Sequence, residues 1–132
     1  MGEKTSGILT ENWTLADGTP VPKLGLGTWF IDDDKAAEAV RVAVEIGYRN
    51  IDTAQAYGNE RGVGEVIRSC GLDRDRVLVS SKLAAEVKDH EAVASIDATL
   101  DRMGLDHLGL IRPDAPHWPG VVDWMSVAPV AR

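Results

Sequence analysis

From Asp33 to Ile46 the run DDKAAEAVRVAVEI opens on acidic residues and places Ala36, Val40, Ala43 and Val44 at helical spacing. Gly47 then closes it, so the pattern predicts an amphipathic helix. The following YRNIDT reads as a buried strand, NERGVGEVIRSCG as a second helix closed by Gly71, and RVLVSSK as a second strand. DHEAVASIDATLDRMG aligns Val93, Ile96, Leu100 and Met103 along one face of a third helix ending at Gly104, and DHLGLIR follows as a strand. Upstream, the Asp17-Gly18 turn signal between short apolar pieces predicts a small hairpin, followed by a strand ending near Thr28.

Strands that alternate with helices in units of about thirty residues are the pattern of right-handed βαβ units and a parallel sheet. The fold class is therefore α/β. Strand ends fall near Trp29, Asp52, Lys82 and Arg112 without a low-complexity linker between them, so residues 1–132 read as one domain. Within it, 1–112 carries the repeating units, and 113–132 is a proline-interrupted tail without clear periodicity.

Composition narrows the function classes. A chain of 132 residues with 44% hydrophobic content can bury one ordinary core. The net charge of -7, with acidic and basic residues interleaved, argues against nucleic acid or an anionic membrane as partner, because neutralising phosphate needs clustered Lys and Arg. Cys70 is the single cysteine, which excludes an intramolecular disulfide and fits apolar packing near a helix end. With no secretory signal pattern and no run long enough to span a bilayer, the chain is expected to be cytoplasmic.

In parallel α/β folds, ligands meet the carboxyl ends of the strands and the loops that follow. Asp52, Tyr57 and Lys82 all fall there. A lysine ending an apolar strand is costly to bury without an anion, and Asp52, ending the preceding strand, is the natural one. A free phenol is too weak an acid to donate a proton efficiently at neutral pH, and a neighbouring ammonium makes it a better donor. Tyr57 beside such a pair is a candidate general acid.

KLGLGTW (Lys23 to Trp29), GYRNIDTAQAYGNE (Gly47 to Glu60) with VGEVI, VSSKL (Val79 to Leu83) and LDRMGLD (Leu100 to Asp106) resemble successive motifs of the aldo-keto reductases, in the right order and spacing. The resemblance covers roughly residues 10 to 106 and implies hydride transfer from NADPH to an aldehyde or ketone. By the same resemblance Tyr57 donates the proton, Lys82 tunes it and Asp52 holds Lys82. The resemblance also implies that the backbone near Gly27, Thr28 and Trp29, with the Asp52 carboxylate, faces the cofactor or substrate pocket.

The family's fourth catalytic residue is a histidine at the end of the fourth strand. An ungapped count lands on Asp114, whereas His117, in His117-Trp118-Pro119, matches the family's form after three extra residues. Pro113 and Pro116 in between are expected to disturb a central strand. His90 and His107 are expected to be solvent-exposed, and the three histidines lack metal-ligand spacing.

A complete (β/α)8 barrel needs about 250 residues, so the sequence predicts a partial barrel, an N-terminal hairpin with about four βα units. Neither GLGTWF nor GVGEVI satisfies the dinucleotide-binding G-x-G-x-x-G pattern. The expected consequences are weak cofactor binding by a monomer and two uncovered strand edges that invite a homodimer. Trp118, Val121, Val122, Trp124 and Met125 are expected to cover part of that surface. The alternative to a reductase is thus an inactive half-barrel acting through self-association or partner binding.

Overall fold

The computed structural model describes residues 7–113 and 130–131. Asp114, Pro116, His117 and the apolar tail residues named above lie outside them.

A short hairpin, β1 (Asn12–Thr14) and β2 (Pro20–Pro22), opens the fold. Its turn is fixed locally: Gly18 takes φ 90°, and the Thr19 N–H donates to Asp17 Oδ1 at 2.9 Å. Then come β3 (Leu26–Gly27), α1 (Asp33–Ile46), β4 (Asn50–Asp52), α2 (Glu60–Ser69), β5 (Leu78–Leu83), α3 (Ala92–Met103), β6 (His107–Leu108) and β7 (Leu110–Pro113). A final segment, β8 (Val130–Ala131), pairs antiparallel with β6. The central sheet is parallel throughout in the order β3-β4-β5-β7. This is the expected partial barrel, with α1, α2 and α3 as its crossovers. Among the described residues no helix is long and apolar enough to cross a membrane.

Side-chain alternation divides the sheet into two unlike faces. Ile51 and Val79 are fully buried and join Val40, Val63, Val66, Leu100 and Met103 of the helices in one core. The intervening positions Asn50, Asp52, Ser80, Leu110 and Arg112 line a cavity of about 310 Å³ on the opposite face, together with Leu15 and Val21 near the hairpin. Charged and polar groups at the strand ends thus share one face.

The GVGEV segment is a packing device. A Cβ at Gly62 would lie 2.3 Å from the Asp33 carbonyl oxygen, and one at Gly64 would lie 2.1 Å from the Met103 carbonyl oxygen. Each glycine lets α2 approach a different neighbour, α1 or α3, at backbone contact.

Four expectations need correction. DHLGLIR is not one strand: it divides into β6 and β7 at Gly109, where a Cβ would come within 2.2 Å of Leu78 Cδ1. Val93 does not pack, being 74% exposed. Glu60, at the start of α2, meets Thr99 and Arg102 near the end of α3, so the first turns of α3 project beyond α2. His107 is half-buried rather than exposed, because β6 is tied down by the Arg74 guanidinium, which donates to its carbonyl at 2.9 Å. Pro113 closes β7, opposite Leu83, instead of disturbing it. Among the described residues β7 is the sheet's edge, where a missing N–H is tolerated.

Candidate active site

Parallel register decides which strand-end residues meet. Asp52 is level with Ser80, and Lys82 is level with Arg112, so all four side chains lie on the polar face of the sheet. Lys82 is 8% exposed. Its ammonium donates to Asp52 Oδ2 at 2.7 Å, to the Thr53 carbonyl at 3.0 Å and to the Tyr57 hydroxyl oxygen at 3.2 Å. Three donors and three acceptors match, which is what lets an ammonium sit in a nearly dry position. Since the phenol oxygen accepts from Lys82, the Tyr57 hydroxyl hydrogen is left to donate elsewhere.

Asp52 is held on its other side. Ser80 Oγ donates to Oδ1 at 2.8 Å, and Arg112 Nη2 approaches the same oxygen at 3.4 Å. Arg112 is a member of this cluster that sequence reading ended a strand on without assigning it any role. The available signal was its distance from Lys82, equal to that between Asp52 and Lys82, but which inward positions become neighbours depends on strand register.

Tyr57 sits on a short 3-10 turn, Gln55–Tyr57, closed by Gly58 at φ 69°. The Trp29 ring stacks near it with centroids 6.4 Å apart, and Phe30 in turn stacks on Trp29 at 4.4 Å. Phe30 adopts φ 62°, an uncommon value for a bulky residue. Trp29 is 65% exposed, so the phenol is flanked by an open aromatic surface.

The residues expected near a cofactor are placed as follows. Gly27 pairs with Asp52 across the strands, and a Cβ there would meet nothing within 4 Å, so the sheet end is clear beside the carboxylate. Thr28 is fully buried, and its N–H and hydroxyl both donate to the Asp52 carbonyl, at 3.1 and 2.9 Å. Thr28 therefore contributes backbone shape rather than a free polar group. His117 lies outside the described residues.

A model of the aldo/keto reductase family matches residues 23–120. An aldo-keto reductase of Mycobacterium sp. (strain KMS) is 41% identical over 106 residues, covering 80% of this chain and 37% of that protein. The glycerol 2-dehydrogenase (NADP(+)) of Saccharomyces cerevisiae is 39% identical over 114 residues, 86% of this chain and 35% of its own length. Among solved structures, an aldo/keto reductase from Brucella melitensis superposes with a TM-score of 0.78 at 34% identity, over 92% of this chain and 45% of that one. The chain therefore spans less than half the length of these relatives.

Proposed function

This chain belongs to the aldo/keto reductase family, and from that premise we propose that its strand-end cluster is the proton-donating part of an NADPH-dependent carbonyl reductase site. The observation that carries the reading is the Lys82 ammonium bonded at once to Asp52 Oδ2 at 2.7 Å and to the Tyr57 oxygen at 3.2 Å. NADPH, when bound, supplies the hydride that adds to the carbonyl carbon of an aldehyde or ketone. Tyr57 gives its hydroxyl proton to the carbonyl oxygen, and Lys82 stabilises the resulting phenolate as a cation within hydrogen-bond reach. Asp52 holds that cation in place. Solvent restores the proton to Tyr57 after the alcohol leaves.

Gly27, the Trp29 ring and the Asp52 carboxylate are the groups that would meet the nicotinamide end of the cofactor. His117 is proposed, from the family resemblance alone, to orient the carbonyl oxygen. The name of the yeast relative, an NADP(+)-linked glycerol dehydrogenase, supports the choice of cofactor. NADPH fluorescence titration tests binding, and kinetics of Tyr57→Phe test the role of the phenol. Removing the hydroxyl is expected to lower kcat by about 100-fold or more with little change in cofactor affinity, as for loss of a general acid. Unchanged turnover in Tyr57→Phe would overturn the assignment.

A second reading is favoured by the borders of the sheet. Among the described residues β3 and β7 each have a strand on one side, and Trp29 and Phe30 are exposed at the β3 end. Unpaired strand edges pair readily with another chain, so two copies joined at these edges form a non-catalytic assembly. Sedimentation equilibrium should then find a dimer; a monomer across the concentration range would remove this alternative.

A further inference from the structure

The Tyr57 turn is held by two side-chain amides placed symmetrically about the phenol, at positions 55 and 59. Gln55 faces one way. Its Oε1 accepts the Ala84 N–H at 2.8 Å just past β5, and its Nε2 donates to Ser95 Oγ at 2.8 Å and Thr99 Oγ1 at 3.0 Å on α3. Asn59 faces the other way and is fully buried. Its Oδ1 accepts from Thr53 Oγ1 at 2.6 Å, and its Nδ2 donates to the carbonyls of Thr28 at 2.8 Å and Ile31 at 3.0 Å. Those two carbonyls bracket Trp29, the ring beside Tyr57.

We propose that Gln55 and Asn59 are positioning residues that fix the Tyr57 phenol over Lys82, Gln55 by anchoring the turn to β5 and α3, and Asn59 by anchoring it to the Trp29 loop. The inference rests on reading Tyr57 as the proton donor, but the geometry it concerns exists whether or not the chain turns over substrate. The alternation of anchors explains why a turn with an exposed residue on each side of Tyr57, Ala56 and Gly58, can still hold a ring at hydrogen-bond distance from a buried ammonium. A turn tied on one side would leave the phenol free to swing. Tied on both, it has one position.

Two tyrosines, Tyr48 and Tyr57, make the test direct. Tyr48 packs against the helix-side core and reports the fold. With 3-fluorotyrosine incorporated, the 19F spectrum of the intact chain should show two dispersed resonances, assigned by Tyr57→Phe. In Gln55→Ala, and separately in Asn59→Asp, the Tyr57 resonance should move toward the free amino acid position while that of Tyr48 stays. Asn59→Asp keeps the size and the acceptor for Thr53 but removes the two donors.

Where turnover is measurable, kcat should fall by about 100-fold in each variant with KM changed far less, the loss expected of a misplaced catalytic group. An unmoved Tyr57 resonance in both variants would overturn the proposal. So would both resonances shifting together in both variants, because the amides would then hold the fold rather than the phenol. Failure of the reductase reading itself appears separately, as unchanged turnover in Tyr57→Phe.

Discussion

Neutralising Asp52 should expose how much of the chain's stability depends on the ion pair beneath Tyr57. In the pair, Lys82 keeps 10% of its side-chain surface and Asp52 28%. Removing one partner from a fully buried pair costs about 3–5 kcal/mol, mostly because the other charge is left without compensation. In Asp52→Asn the ammonium retains the Thr53 carbonyl and the Tyr57 oxygen, and the carboxylate side is partly wet, so the expected cost falls to about 2–3 kcal/mol. Lys82→Met leaves Asp52 with Ser80 Oγ and Arg112, and should cost about 1–2 kcal/mol. The double variant buries neither charge. It should therefore be less destabilised than the sum of the two, by a coupling of about 1–3 kcal/mol. Urea denaturation followed by far-ultraviolet circular dichroism measures all four proteins. With a slope of about 2 kcal/mol per M, Asp52→Asn should shift the midpoint by about 1 M or more. Additivity of the two single changes to within about 0.5 kcal/mol would refute the claim that the groups are a coupled, desolvated pair.

Further expectations concern the neighbours of that pair and the packing around it. Arg112→Leu should change stability by less than about 1 kcal/mol in the same urea assay, because its 3.4 Å contact is long and half-exposed. Helix propensity alone predicts that Gly64→Ala gains about 1 kcal/mol, but a Cβ 2.1 Å from the Met103 carbonyl oxygen reverses the sign. A loss of about 1–3 kcal/mol is expected there, against a change within about 0.5 kcal/mol for Gly27→Ala, where space is open. The Thr19 N–H holds the Asp17 carboxyl below its usual range. Because this pKa is depressed in the folded chain, the contribution to the hairpin is present above the unfolded value near 3.8 and is lost as pH falls through the folded one. Protection of the Thr19 amide from hydrogen exchange should follow that titration, and Asp17→Asn should abolish the dependence.

The elements that sequence pattern places well are those whose signals are local. The limits of α1 at Asp33 and Ile46 follow from an acidic first turn and a terminating glycine, and both are local features. The meeting of Asp52 with Lys82 was legible because a strand-end lysine in an apolar run needs an anion close by. Gln55, Asn59 and Arg112 were not legible as parts of the site. Arg112 reaches Asp52 because parallel register sets it beside Lys82, and the two amides act through groups on α3 and on the loop after β3. The division at Gly109 is equally non-local, because there the pairing partner changes from β8 to β5.

The two-faced sheet ties these observations to the site. Parallel strands are usually apolar on both faces, because helices cover both. Here β4 and β5 present Ile51 and Val79 to the helices, and Asp52, Ser80 and Lys82 to the other side. The same alternation sends Ser81 toward the helices, where its hydroxyl donates to the buried Glu60 carboxylate at 2.7 Å, and Glu60 is held in turn by Arg102. Neighbouring residues of one strand thus join two separate polar networks. Ser80 and Lys82 hold the Asp52 carboxylate and Lys82 also bonds the phenol, while Ser81 anchors the start of the helix that follows the phenol's turn. The position of Tyr57 depends on both, and a one-residue slip of β5 would exchange them and dismantle the site while leaving the strand's composition unchanged.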